Sequence, residues 1–452
     1  MPSVTTSAVP SGITAITVCN YKSICQEQRI ELKPLTLLAG ANSSGKSSIM
    51  QPLLLLKQTL EAPFDPGALL LDGANVRCTS TDQIFCKVDS QCSDTFSVRF
   101  EFDNKDGLGL KFNRSRQPGV AIEIQEMFYF GNGKEQTIHT DMTSGEIERI
   151  LPDHLKILGR SFVEKSKPSS PENVPHWTVF RDRCFLFFNL KRDETPRSQF
   201  LFGGGISPAE LAAPILEGVI HVPGLRGNPA RTYRTTAVGN CFPGTFENYC
   251  ASIINHWQSR KDVRLKSLGN ALETLGLTWK VEARPVDDTQ VELRVGRLSH
   301  CKRGGAHDLV SIADVGFGVS QTLPILVALL TARAGQIVYL EQPEIHLHPK
   351  AQKQMGRILA DAAKRGVIVV VETHSSLLLR GLQTLVARGE LPPGLIKLHW
   401  FTREENTGTT VVSSSDMDEQ GAFGQWPEDF DDVALEADNE YLDAVERQSV
   451  YA

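Results

Sequence analysis

Eight residues, Gly40-Ala-Asn-Ser-Ser-Gly-Lys46-Ser47, carry the chain's densest phosphate-binding chemistry. Glycines at the first and sixth places let the backbone turn tightly enough to aim successive N–H groups at an oxyanion. Lys46 offers a positive charge to the β- and γ-phosphates of a nucleotide, and the Ser47 hydroxyl offers a hard oxygen to Mg²⁺. Asn42, Ser43, Ser44, Gly45 and the adjoining Ser48 complete a candidate nucleotide-binding loop. Such a loop works only between a strand and a helix. Residues 35–39 are an apolar run of buried-strand character, and Ile49, Leu53, Leu54 and Leu56 then recur at helical spacing.

A second group of residues lies nearly 300 positions later. An apolar strand pattern over 336–340 ends in Glu341-Gln342-Pro343-Glu344. A carboxylate at the end of a buried strand beside a phosphate loop is placed to hold Mg²⁺, so Glu341 joins Ser47 as a metal residue. Another apolar strand, 367–371, runs into Glu372-Thr-His374-Ser375, and between the two strands a helix is expected over 350–364. Upstream, Asp314-Val-Gly316-Phe-Gly318-Val-Ser320-Gln321 opens a helix, and a helix N-terminus is a second anion-binding device.

This order of motifs resembles the ABC-class ATPases. More narrowly, it resembles the stand-alone ABC/AAA-type ATPases related to RecF, SMC and OLD-family heads, many of them in prokaryotic phage-defence loci. The likeness rests on Asn20-Tyr-Lys-Ser-Ile24 and on the phosphate loop continuing through Ser48-Ile-Met-Gln51. It rests also on Pro223-Gly-Leu-Arg226 and on the stretches 314–324, 341–349, 372–375 and 421–430. It covers roughly residues 14–75 and 220–430.

The resemblance implies an α/β fold of the ABC head type, with a mixed central sheet, flanking helices, an antiparallel β-subdomain and a helical lobe. It implies ATP and Mg²⁺ as ligands and a head-to-tail homodimer or higher oligomer. There Gly316, Gly318, Ser320 and Gln321 would act as a signature gripping the nucleotide held by the partner, although they depart from the usual Leu-Ser-Gly-Gly-Gln. His374 takes the position of a γ-phosphate sensor. Gln342 stands where the family usually has the glutamate that polarises water. A glutamine cannot accept a proton, and general-base help is worth about 10²–10⁴-fold. Either Gln342 orients the water while Glu344 or His374 supplies the rest, or turnover is slow. The context implied is antiviral defence, with a separate nuclease or toxin as effector. Two readings stay beside it, a scaffold that holds ATP without turnover and a RecF-like DNA-repair ATPase.

The remaining chain positions these groups. With 41% hydrophobic and 22% charged residues, the 452-residue chain can bury a large core. A net charge of −6 gives no support to a surface coated for nucleic acid, which stays open only for a local groove. No run reaches the roughly 18 apolar residues of a membrane span, and no secretory leader is visible, so a cytoplasmic protein with free thiols is expected. The expected divisions are 14–140 (N-terminal ATPase lobe), 141–206 (insertion), 207–300 (helical lobe), 301–415 (C-terminal ATPase lobe) and 416–452 (tail). Alternating antiparallel strands are expected within 14–34 and 72–130, one helix over 145–165, another from Ser207-Pro-Ala-Glu210, and a hairpin over 279–295. No heptad seam for a long coiled coil is present. His346 and His348 read as contacts between subunits rather than a metal pair. Arg226, Arg231 and Arg234 read as a solvated basic loop, an interdomain ion pair, or a phosphate or nucleic-acid contact. Asp416-Met-Asp418 does not make a complete Toprim nuclease.

Overall fold

The computed structural model describes residues 12–88, 91–131, 134–166, 174–192, 199–200, 207–297 and 308–424. Its centre is a six-stranded sheet ordered Ile220–Val222, Ile337–Glu341, Ile368–Glu372, Leu35–Gly40, Ile396–Arg403 and Thr410–Asp416. The first five strands are parallel and the last returns antiparallel. The fold is therefore α/β with a mixed central sheet, as expected. Its inner strands Ile337–Glu341, Ile368–Glu372 and Leu35–Gly40 read as apolar runs because both faces are covered. Leu35, Leu37, Val338, Leu340, Val369 and Val371 enter one core with the helices Cys250–Ser259, Phe317–Thr331, Pro349–Lys364 and Ser376–Ala387. The alternate residues Leu38, Tyr339 and Val370 enter the other, with the helix Lys46–Leu60. One sheet thus divides two cores, following the period-two alternation of its side chains.

The second core is roofed by an antiparallel sheet ordered Gln28–Glu31, Ile13–Cys19, Thr95–Phe102, Gly107–Arg114, Ile122–Gly131 and Lys134–Ile138. Here the alternation is clean, with Phe96, Val98, Phe100 and Phe102 buried. The expected hairpin forms as Val281–Pro285 and Gln290–Gly296.

Local chemistry corrects three expectations. The helix expected over 145–165 is two, Ser144–Ile150 and Asp153–Ser166. Between them Pro152 holds Leu151 in extended backbone, as a residue before proline is held. At Ser207 only the single 3₁₀ turn Pro208–Glu210 forms, followed by the five-residue helix Ala213–Glu217. Cys25 and Cys86, expected as free thiols, form a disulfide, their Cα atoms 5.4 Å apart. No described helix is long and apolar enough to cross a membrane. Most of the tail, 425–452, lies outside the described residues, as does part of the 141–206 insertion.

Candidate active site

The site gathers at the C-terminal ends of the parallel strands, where an open α/β sheet leaves room for a ligand. The strand Leu35–Gly40 delivers the loop and the helix Lys46–Leu60 receives it. Two glycines are obligatory. Gly40 has φ +139° and a Cβ there would drive into the carbonyl of Phe401, while Gly45, at φ +102°, has no room beside the Thr410 hydroxyl. Two of the loop carbonyls are bonded to side chains from the neighbouring strands. Arg403 Nε donates to Ser43 O at 2.7 Å and Thr410 Oγ1 to Ser44 O at 2.8 Å. Lys46, only 3% exposed, bends back so that Nζ donates to Gly40 O at 3.1 Å and Ala41 O at 2.6 Å. Burial lowers the Lys46 pKa, against the opposing pull of Glu372 and Glu344. Asn42 and Ser43 are exposed on the loop, and Ser44 and Ser48 are buried against it. The buried Ser44 hydroxyl has no partner among the described residues.

The carboxylate that meets the loop is Glu372. Ser47 Oγ donates to both its oxygens, at 3.0 and 2.9 Å, and Tyr339 Oη donates to Oε2 at 2.9 Å. Glu341 lies directly beside it on the next strand, in register. Its own oxygens are taken by His221 Nε2 at 3.1 Å and by the Gly224 N–H at 2.9 Å. The two carboxylates are driven apart. Burial and the neighbouring Glu341 raise the Glu372 pKa. Burial pushes Glu341 upward too, but His221 and the Gly224 N–H outweigh it and leave it below the usual carboxylate range.

His221, 2% exposed, also faces Asn75 Oδ1 at 3.0 Å through Nδ1 and stacks on Tyr339. Sequence reasoning passed over Glu372 and His221. The signal for Glu372 was its place at the end of an apolar strand, equivalent to that of Glu341; nothing in its surroundings in sequence marked His221.

Gln342 is held by its backbone at φ +45°. Its N–H donates to Glu372 O at 2.7 Å, and its carbonyl accepts from Arg226 Nη2 at 3.2 Å. His374 follows Glu372 and lies beside Gly40. Its N–H donates to Glu344 Oε1 at 2.9 Å, a carboxylate whose pKa burial raises. Burial and nearby Lys46 lower the His374 pKa, against the pull of the Gly40 carbonyl. Lys46, Ser47, Glu341, Gln342 and His374 are thus brought to one end of the sheet.

The expected signature opens the helix Phe317–Thr331, which Arg226 joins to the site by bonding both Gln321 and the Gln342 carbonyl. Gly316 caps the helix Phe317–Thr331 and is exposed, Gly318 and Ser320 are half-buried, and Ser320 Oγ donates to Phe317 O at 3.1 Å. Gln321, expected to serve a partner subunit, is turned inward instead. Its Nε2 donates to the carbonyls of Arg226 and Gly227, at 3.2 and 3.1 Å, because it starts the buried face of its helix. The arginines are not one basic patch. Arg226 is 8% exposed behind the site, and Arg231 forms a bidentate pair with Asp314. Asp416 is engaged by Lys33 and Lys397.

Among the described residues no group of three or more His, Cys, Asp or Glu is disposed to hold a metal, so His346 and His348 are not part of one. The oxygen set of Ser47 and Glu372, with Glu341 one strand away, does fit Mg²⁺. That ion takes one or two carboxylates and leaves its other places to phosphate and water. The loop fits a polyphosphate, since its Ser43 and Ser44 carbonyls are bonded to Arg403 and Thr410 and Lys46 lies within it.

The family profile described as "AAA domain, putative AbiEii toxin, Type IV TA system" matches residues 35–380, from the loop strand to beyond His374. The match bears out the sequence resemblance to ABC/AAA-type ATPases. No curated protein matches the chain. Similar solved structures include an SMC head bound to the C-terminal winged-helix domain of ScpA, at 11% identity and TM-score 0.48, over 90% of this chain and 98% of that one. Two others are the SMC head domain from Thermotoga maritima (11% identity, 89% and 98% covered, TM-score 0.39) and an Smc head with an extended coiled coil, bound to the C-terminal domain of ScpA derived from Pyrococcus furiosus (12%, 96% and 99%, 0.42). Likeness at this level says nothing of function.

Proposed function

The chain belongs to the AAA-domain family that its residues 35–380 match, and from that premise we propose that it binds and slowly hydrolyses ATP as a switch. The observation that carries this reading is the Ser47–Glu372 contact, at a loop whose Ser43 and Ser44 carbonyls are bonded to Arg403 and Thr410, with Glu341 beside it. In this reading Lys46 leaves the carbonyls of Gly40 and Ala41 for the β- and γ-phosphates. Ser47, Glu372 and Glu341 would hold Mg²⁺, an ion that would supply neutralisation of charge developing on the phosphates. Gln342 orients the attacking water, and His374 senses the γ-phosphate. The lowered pKa of His374 keeps it neutral at pH 7, able to donate one N–H without adding a charge.

Gly316, Gly318 and Ser320 then contact the nucleotide of a second subunit in a head-to-tail dimer, which controls a separate nuclease or toxin in antiviral defence. The exposed Gly316 end of its helix and the toxin–antitoxin wording of the family description support this part.

A second reading, an ATP-held scaffold without turnover, is favoured by Gln342 itself, which carries no base. Steady-state hydrolysis, with sizing under ATP, separates the two. We expect Lys46→Ala to abolish turnover and Gln342→Glu to raise it by about tenfold or more. Absence of turnover in the wild type, with an oligomer still held by ATP, would replace the switch by the scaffold.

A further inference from the structure

Away from the phosphate loop, a recess of about 330 Å³ opens where the helices Cys250–Ser259 and Phe317–Thr331 end beside the loop 238–242. Arg260, Arg264, Arg333 and His256 all line it, and no carboxylate does. Gln336, also in the lining, directly precedes the strand Ile337–Glu341. At about 3.3 Å per strand residue, it lies about 17 Å from Glu341 at the strand's other end.

The cations differ in how they are engaged. Arg264 is neutralised, pairing with Asp262 at 2.6 Å and lying over the Trp257 ring. Arg333 Nη2 donates to Asn240 Oδ1, a neutral acceptor that leaves the charge uncompensated. The Arg260 guanidinium has no hydrogen bond or ion pair among the described residues. Arg260 and Arg333 are both exposed and His256 is half-buried, so these groups are open to a ligand. A helix C-terminus favours a neighbouring cation by about 0.3–1 kcal/mol, which accounts for one cation at each helix end. It does not gather cations from two helix ends around one recess and keep every carboxylate out of it, in a chain of net charge −6.

We propose that this recess binds a small phosphate ester, its phosphoryl group held by Arg260 and Arg333. The donor inventory sets the sign. Arginine can only donate, so the ligand must accept, and two uncompensated guanidiniums call for about two negative charges. A phosphoryl group concentrates about −1.5 to −2 charge and three strong acceptor oxygens on one centre, and guanidinium forks suit those oxygens. A dicarboxylate spreads the same charge over two centres.

Size sets the rest. The volume is at the lower end of small-molecule sites, enough for a phosphoryl group and a few carbons, and a recess between two helix ends and a loop does not track a polymer backbone. Half-buried Val238 offers the carbon part an apolar contact. Binding here does not depend on how the chain uses ATP.

The test is calorimetric titration of the full chain with glycerol 3-phosphate, inorganic phosphate, glycerol and succinate. Glycerol 3-phosphate should bind saturably, inorganic phosphate several-fold more weakly, and glycerol and succinate not measurably. Because the phosphate loop also offers a place to phosphate, the titration is repeated in Lys46→Ala, where the recess should keep its affinity for glycerol 3-phosphate. Arg260→Ala and Arg333→Ala should each weaken that binding by roughly tenfold or more, since hydrogen bonds between charged groups are lost. Both side chains are exposed, so the fold should stand, which urea unfolding checks. No saturable binding of glycerol 3-phosphate overturns the proposal. So does binding unchanged in both arginine variants, or binding lost in Lys46→Ala, which would place the ligand in the loop. Succinate or inorganic phosphate binding as tightly as the ester would overturn the assignment of ligand class. A short DNA duplex that binds where the ester does not, and is weakened by the same two substitutions, would replace the small ligand by a nucleic-acid backbone.

Discussion

Two buried polar groups flank the same strand, Leu35–Gly40, and they are built on opposite terms. On one side, Glu372, Ser47, Tyr339 and Glu341 crowd two carboxylates together. Nearby, Ser44 Oγ, Glu344 Oε2 and Arg226 Nη1 are left without partners among the described residues. On the other, His399, 1% exposed, is bonded at both nitrogens, to Ser414 Oγ at 2.7 Å and Glu31 O at 2.8 Å. Lys397 pairs there with Asp416 and Glu31. The second group is complete and ties the central sheet to the antiparallel roof. The first is incomplete in a way that costs stability and leaves hydrogen-bonding capacity for a ligand. A finished buried network reads as structure, an unfinished one as a site.

The sharpest way to break this contrast is Glu372→Gln. It should lower turnover by roughly 10²–10³-fold, as loss of a positioned charge stabiliser does, yet leave stability at pH 7 equal or higher by about 1 kcal/mol. The sign follows from its raised pKa. A carboxyl whose folded pKa is raised contributes stability in acid that disappears as pH rises through that value, so the charged form at pH 7 is the disfavoured one. Hydrolysis assays with urea unfolding of both proteins would check this, and a clear loss of stability would place Glu372 with the structural group.

His399 should behave in the reverse manner. Burial lowers its pKa from 6.5 to about 4, so its contribution is full above pH 6.5 and is lost as pH falls through about 4. That loss is on the order of 3 kcal/mol, and urea unfolding at pH 4 and pH 7 should show it in the wild type but much reduced in His399→Gln. Nucleotide binding by the variant, under conditions where it is folded, should be unchanged.

The smallest effect sharpens the border between the groups. His221 is buried and bonded like His399, but its partner is Glu341. His221→Gln should lower turnover by roughly 10–100-fold, with the Mg²⁺ concentration for half-maximal rate raised. ATP retention without Mg²⁺ should stay the same. Equal losses with and without Mg²⁺ would make His221 structural.

Sequence alone determined the strand–loop–helix unit at 35–60, because its chemistry is local. Glycines at 40 and 45, the lysine and the serine all act within one turn of chain, and the apolar runs around them have unambiguous periods. It determined equally that the strands ending at Glu341 and Glu372 are buried, since each reads as a continuous apolar run. What it could not determine is which carboxylate meets Ser47. That depends on strand order, in which Ile368–Glu372 intervenes between the loop strand and Ile337–Glu341, so that the later residue comes nearer. The inward turn of Gln321 and the partners of Arg226 and His221 likewise join residues about a hundred positions apart, through contacts that no local period encodes. Even the Cys25–Cys86 pair follows this rule: spacing in the chain is silent about it, and the packing of two loops brings the thiols together. The residues declare their chemistry wherever the partner is a neighbour in sequence; tertiary structure decides it wherever the partner comes from another strand.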